Sequence, residues 1–331
     1  MVVNKIGRKN ALLLGGVLVL GLLPIALQGN ARILNVLIAA LMWGVLASAW
    51  DLCMGYARVF SFGHLAFFTI GAYTAGLTAR QLGIPPLAAI PLGGVTAAIF
   101  GLLIGLLCLR LRGVYIAMVT FGLHMVLQTV IIWGRDITGG KTGVTGFAPL
   151  QIGQYIFSPS YPFFSYYIAL GIFILLLFII YRIINSPIGL AFVALRDSEP
   201  YAKSLGVNEY KYKLIVFGIS AFIAGLIGAV YIHFYGIISP VTLDIPIFLM
   251  VLIMFMLGGL GRFPGAVIGA FVITFVTEAL RPLLLWRFVA LGAIVVAVTV
   301  FIPGGLMSIP ERVRPFIRRA FGRRHVEEEV S

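Results

Sequence analysis

LIVFGISAFIAGLIGAVYIHFYGIISPVTL, residues 214–243, contains no Asp, Glu, Lys or Arg. A run this long and this apolar exceeds the ~20 helical residues that cross the ~30 Å hydrocarbon core of a bilayer. A helix satisfies its own backbone N–H and C=O groups, which lipid cannot do, so the stretch reads as a membrane-crossing helix. Its glycines Gly218, Gly225 and Gly228 suit close approach to neighbouring helices, since in lipid association depends on packing small residues rather than on hydrophobic gain.

The rest of the chain repeats the pattern. Further charge-free blocks cover residues 11–31, 33–50, 59–79, 81–109, 113–134, 163–181, 245–261, 263–277 and 288–310, ten blocks with the first. Of the 331 residues 61% are apolar and 11% charged, against about 25% charged in a soluble domain. The fold expected is an all-α, polytopic transmembrane helical bundle of about ten spans, eight to ten. Blocks 245–261 and 263–277 are short and are expected to tilt little, to end inside protein, or to form a partly re-entrant pair. Residues 1–310 then form the membrane domain, with 311–331 as a charged tail.

Orientation follows from the basic residues, because cytoplasmic loops carry their excess. With the N-terminus inside, 18 of the 24 Lys and Arg lie in inner segments; outside remain Arg32, Arg80, Arg135, Lys141, Arg281 and Arg287. Both termini are therefore expected in the cytoplasm. The net charge of +13 reads as topology and as attraction to anionic membrane lipid, with no nucleic acid implied. The basic residues before the first block are followed by no clean cleavage site, so that span is expected to be retained. Cys53 and Cys108 stand away from any His or carboxylate cluster and suggest neither metal nor disulfide.

The longest inner interruption, 185–213, carries Ser186 before Pro187 as a helix cap and Gly206 as a helix end. Pro200 is expected to split it into two short pieces at the membrane surface, each with an apolar and a charged face. The outer segment 135–162 is rich in residues that permit tight turns, among them Thr138, Gly139, Gly140, Gly143 and Gly146. Gly140-Lys141-Thr142 is no phosphate loop, since Arg135 stands where the first glycine is required and a membrane helix precedes it instead of a strand. Gly63 to Tyr73 is echoed by Gly261 to Phe271, glycines eight apart and Ile-Gly-Ala-aromatic closing both, which suggests a parallel internal repeat.

Polar groups inside lipid are costly and mark candidate paths. His64 with Ser61 sits in a broken-looking start of the third span, His124 with Gln128 in the fifth and His233 in the seventh, while Asp51 and Glu278 stand near span ends. A single such His is more often an interhelical hydrogen bonder. Neither a His-Glu-x-x-His pair nor a Gly-x-Ser-x-Gly turn occurs, so no catalytic residue is proposed.

Three stretches carry a resemblance: Ser61 to Ala75, the Thr-Gly-Gly…Gly-x-Thr-Gly outer loop from Thr138, and Gly258-Gly259-Leu260-Gly261 with Gly265-Ala266-Val267-Ile268-Gly269-Ala270. They resemble the inner-membrane permease of the branched-chain amino acid ABC importers. Residues 189–199, with Ala202 and Leu205-Gly206-Val207, are similar to that family's cytoplasmic coupling loop. Pro200 and Leu123-His124-Met125 depart from the family pattern and bear on the solute. The resemblance implies a multi-pass subunit in the bacterial inner membrane, paired with a homologous permease. It further implies two cytoplasmic ATPase subunits and a periplasmic or extracellular binding protein, with ATP bound by the partners and no cofactor here. Arg196, Asp197 and Glu199 would make polar contacts to an ATPase, and Gly189, Ala194 and Ala202 would permit close seating. Ser61, Gly63, His64 and Gly71 would lie near the path, beside His124 and Gln128. A same-family permease for urea, short amides or other amino acids fits the same residues. A secondary transporter or channel would be expected to show an intramembrane charged pair.

Overall fold

The computed structural model describes residues 15–27, 30–108, 110–111, 113–153, 155–283, 286–301 and 304–308. The tail 311–331 and the basic residues Lys5, Arg8, Lys9 and Arg112 lie outside them. Each of the ten charge-free blocks carries one helix: α1 (Gly15–Ala26), α2 (Ala31–Asp51), α3 (His64–Gln81), α4 (Pro86–Cys108), α5 (Val114–Trp133), α7 (Pro162–Ile184), α10 (Glu209–Tyr235), α11 (Ile245–Gly258), α12 (Gly265–Ala279) and α13 (Trp286–Phe301). The short helices α6 (Arg135–Thr138), α8 (Pro187–Asp197) and α9 (Glu199–Ser204) lie between them.

Among the described residues five helices are long and apolar enough to cross a membrane: α2 with its continuation to Tyr56, α4, α5, α7 and α10. The chain is thus a multi-pass helical membrane protein. Helices α11 and α12, of 14 and 15 residues, extend only about 21–22 Å and pack on one another. The third block departs from a full-length helix at its start, where the sequence already looks broken. Residues 59–63 are not helical, and α3 begins only at His64, because Trp50 and Thr120 bond the backbone of Ser61 and Phe62 in place of helical partners. A second departure is four very short strands in an otherwise helical fold: β1 (Val144–Thr145) pairs antiparallel with β4 (Ile237–Ile238), and β2 (Leu150–Ile152) with β3 (Tyr155–Phe157).

The tightest seam joins α3, α4 and α10. A Cβ on Gly71 would run into the backbone of Gly225, and one on Gly228 into the carbonyl of Phe68. Only glycine lets these helices meet main chain to main chain. Gly269, the counterpart of Gly71 in the sequence echo, does the same against the Met254 carbonyl of α11. Outward, α4 and α5 present Leu92, Val95, Ile99, Leu103, Met118, Val126 and Val130. An apolar surface of this extent suits lipid or another membrane subunit.

Loops that alternate threading assigns to the same side touch each other. At one end Asn35 Nδ2 donates to the Pro159 carbonyl at 3.2 Å, Gly146 N–H to the Gly236 carbonyl at 3.0 Å, and Arg32 pairs with Glu278 at 2.6 Å. At the other end Arg58 donates to the Arg196 carbonyl at 3.3 Å, and Asp51 accepts from Gly261 N–H at 2.8 Å.

Candidate functional site

The non-helical stretch before α3 organises the centre. Trp50 Nε1 donates to the Ser61 carbonyl at 2.7 Å, Phe62 N–H to Thr120 Oγ1 at 2.8 Å, and Gly63 N–H to Ser61 Oγ at 3.3 Å. His64 stacks on Trp50, ring centres 5.3 Å apart and planes 14° from parallel. Phe248 of α11 joins this group to His124, its ring 5.5 Å from Trp50 and 5.6 Å from His124. The structure therefore brings Ser61, Gly63, His64 and His124 around one aromatic cluster. Gln128 lies one turn further along α5 and donates to Asp244 Oδ1 at 2.7 Å. Gly71 stands apart, in the glycine seam.

His124 Nε2 meets the Leu243 carbonyl at 2.7 Å, so that nitrogen carries the proton. Its Nδ1, and both ring nitrogens of His64, are buried without a hydrogen-bond partner. Such groups are expensive in an apolar interior. Among the described residues no three His, Cys, Asp or Glu gather to hold a metal ion.

Helices α8 and α9 are built as the sequence indicates. Ser186 Oγ accepts from Gly189 N–H at 3.3 Å with Pro187 in the first turn, Ser198 is extended, and Pro200 sits in the first turn of α9. Gly206 closes the pair at φ +84°. Leu190 and Tyr201 point outward, 67% and 66% exposed. Gly189 and Ala202 are packed within this chain. A Cβ on Gly189 would overlap the Ile183 and Ile184 carbonyls, and Ala202 is fully buried against this chain's own helices. Ala194 is half-buried and Asp197 exposed.

Arg196 turns inward. Its Nη1 reaches the Gly55 carbonyl at 3.5 Å and its Nε bonds Asp197 at 3.0 Å. Gly55 belongs to a π turn, Leu52–Tyr56, that continues α2. The same turn is tied to the connection before α12, because Asp51 Oδ1 accepts from Gly261 N–H and Tyr56 Oη from Phe263 N–H, both at 2.8 Å. α8 is thus joined to the π turn of α2, and that turn to the connection before α12.

Glu199 closes a ring with Lys203, Lys213 and Glu209 that clamps α9 on α10. Burial alone would raise the Glu199 carboxyl, but hydrogen bonds from Lys213 and Lys203 outweigh it and hold it down at about 2. Lys203 is raised by its bonds to Glu209 and Glu199. Since the folded value of Glu199 lies below its ordinary 4.5, its contribution is complete above that value and is lost as pH falls toward about 2. For Lys203 the loss lies above 10.5. Hydrogen exchange of the α9 amides, corrected for intrinsic rate, is expected to accelerate between pH 5 and 3, and Glu199→Gln to show the faster rate already at pH 7.

The loop 135–162 packs on the segment after α10. Thr138 Oγ1 donates to the Gly134 carbonyl at 2.8 Å, and Gly139, Gly140, Gly143 and Gly146 all have positive φ. At Gly143 glycine is required twice over, since φ is +72° and a Cβ would overlap the Ile238 carbonyl. His233 Nδ1 bonds the Ala148 carbonyl at 2.8 Å and ties the loop to α10.

A groove of about 390 Å³ opens between α2 and α12 at this same end. Of its lining the sequence marks Glu278 as an acidic group near a span end and Arg32 and Arg281 as basic residues of outer segments, without joining them. The signal available was spacing: Arg32, Asn35, Val36, Ala39 and Trp43 share one face of α2, and Thr274, Thr277, Glu278 and Arg281 run along one side at the end of α12.

Residues 32–309 match the family described as branched-chain amino acid transport system / permease component. The high-affinity branched-chain amino acid transport system permease protein LivM of Salmonella typhimurium is 28% identical over 86% of this chain and 71% of its own length. LivM of Escherichia coli is 29% identical over 80% of this chain and 67% of its own length. The probable branched-chain amino acid transport permease protein LivH of Methanocaldococcus jannaschii is 27% identical over 64% and 69%. No solved structure matches the chain. With the family match covering nearly all of the described bundle, from the groove through the aromatic cluster to the α8–α9 pair, the chain belongs to the permease components of branched-chain amino acid transport systems.

Proposed function

We propose that this chain is the channel-forming subunit of an ABC importer for branched-chain amino acids in the cytoplasmic membrane of a bacterium. In this reading a homologous permease forms the other half of the path, a binding protein delivers the solute from outside, and two ATPase subunits bind and hydrolyse ATP. Both termini and the α8–α9 pair face the cytoplasm, and the ten apolar blocks give about ten spans. The distribution of Lys and Arg supports that orientation. The ATPase docks on the outward side of α8–α9, around Leu190 and Tyr201.

The observation that carries the reading is the bonding of α8 to the bundle. Arg196 and its neighbours join the exposed helix pair to the π turn of α2 and to the start of α12, so a push on α8 reaches the helices that hold Trp50, His64 and Phe248. That aromatic cluster, with Ser61, Gly63 and His124, is the proposed constriction of the path, which opens and closes as α2 and α11 shift. Gly71 contributes by packing, and Gln128 by holding Asp244 at the outer end.

The test is uptake in proteoliposomes that contain the permease pair, the ATPases and the binding protein. ATP-dependent accumulation of radiolabelled leucine, isoleucine or valine is expected. Accumulation of urea or a short amide in their place would reject the substrate, and uptake without ATPase subunits would reject the mechanism.

A further inference from the structure

The groove between α2 and α12 divides into a charged mouth and an apolar floor. Arg32 and Arg281 flank Glu278 at the mouth, with Arg32 Nε and Nη2 at 2.8 and 2.6 Å and Arg281 Nη1 at 3.5 Å from Glu278 Oε1. All three bonds converge on that one oxygen, and Oε2 receives none of them. Deeper along α2 the lining becomes Val36, Ala39 and Trp43. From Arg32 to Trp43 is eleven residues, about 16 Å of helix.

Three polar atoms in the lining have unused capacity. Asn35 Oδ1, Thr274 Oγ1 and Thr277 Oγ1 are buried without any hydrogen-bond partner. A threonine inside a helix ordinarily bonds back to the carbonyl one turn earlier, as Thr78, Thr96, Thr120 and Thr129 do here. Thr274 and Thr277 do not. Buried polar groups are nearly always partnered in native proteins, and an apolar cavity with a few convergent polar groups is the form of a small-molecule site.

From this juxtaposition we propose that the groove is an entry site for an α-amino acid with an apolar side chain, held at its zwitterionic head by Arg32, Arg281 and Glu278. The arginines take the carboxylate through charge-assisted bonds. Glu278 Oε2 takes the ammonium, and the aliphatic side chain lies on Val36, Ala39 and Trp43. Because one carboxylate is set between two guanidinium groups, the mouth discriminates against molecules with only one charge. The net positive mouth also draws the carboxylate in first. The inference rests on the importer reading for its direction, since an outward-facing mouth receives solute from the binding protein and passes it along α2 toward Trp50.

The test uses the full chain in the complex with its partner permease and ATPases, in nanodiscs without binding protein. A thiol introduced by Val36→Cys is modified with a water-soluble maleimide; the native Cys53 and Cys108 are buried. Leucine is expected to slow modification by about tenfold or more, while leucinamide, lacking the carboxylate, and 4-methylpentanoate, lacking the ammonium, leave it unchanged. Glu278→Gln is expected to abolish protection by leucine. Ala39→Cys, on the same face, serves if Val36→Cys does not fold.

If leucine is taken up by the complete importer but protects neither thiol, the site is overturned and the importer reading stands. If leucine protects but no ATP-driven uptake occurs, the importer reading fails and the site stands. Protection by phosphatidylglycerol in the disc with none by leucine overturns the proposal and makes the groove a lipid-headgroup site.

Discussion

Replacing Gly71 by leucine is expected to leave little folded protein in the membrane. Any Cβ at that position enters the backbone of Gly225, and the Gly71 carbonyl in turn lies against Gly93 of α4. Three helices therefore meet at one residue without a side chain between them. Overpacking an ordinary core costs about 1–3 kcal/mol, and here backbone, which cannot rotate out of the way, must move in two neighbouring helices. The expected cost is above about 3 kcal/mol, enough to exceed a large part of the stability of a typical domain. Size-exclusion profiles and thermal unfolding of detergent-solubilised protein check it. Gly171→Ala is the control, because nothing lies within 4 Å of its Cβ, and its melting temperature should stay level or rise slightly. A monodisperse Gly71→Leu protein with unchanged melting would contradict the seam.

The second large effect is expected at Arg196. Its guanidinium lies at the Gly55 carbonyl and within electrostatic reach of the fully buried Asp51. Arg196→Glu removes the cation at the Gly55 carbonyl and sets an acidic side chain toward the buried Asp51, and breaking such a contact from one side is strongly unfavourable. The strain falls on the joint between α8 and the π turn, while the spans themselves are untouched. The protein should therefore reach the membrane at normal level, the ATPase should no longer co-purify, and ATP-driven uptake should fall by about tenfold or more. Normal uptake with normal co-purification would show that α8 does not act through this joint.

Much of the fold was legible because its signals are local. A run of apolar residues spells a helix regardless of what lies beside it. The cap at Ser186, the break at Pro200 and the end at Gly206 depend on neighbours within one or two turns. The shortness of α11 and α12 was visible in the lengths of their blocks.

What was not legible depends on partners far along the chain. Gly189 and Ala202 belong to the helix pair expected to meet an ATPase, yet both are spent on internal packing, which only the approach of α7 and α10 decides. The broken start of α3 shows in the sequence at Ser61 and His64, but its cause does not, since Trp50 and Thr120 take over backbone bonds at residues 61 and 62. Arg32 and Glu278 lie 246 residues apart, and nothing in either neighbourhood announces the pair. His124 was a candidate because it is polar and intramembrane; its carbonyl partner comes from the 3-10 turn before α11, which sequence spacing could not supply.

The orientation of the α8–α9 pair is the claim on which the coupling scheme rests. Leu190 is 67% exposed on the outward face of α8, so a thiol introduced by Leu190→Cys can be labelled without disturbing the core. The measurement is its modification by a membrane-impermeant maleimide in right-side-out and inside-out vesicles, with and without the ATPase subunits. Labelling in inside-out vesicles alone, suppressed when the ATPase is bound, is the result expected. Labelling in right-side-out vesicles would turn the helix pair away from ATP and contradict the account.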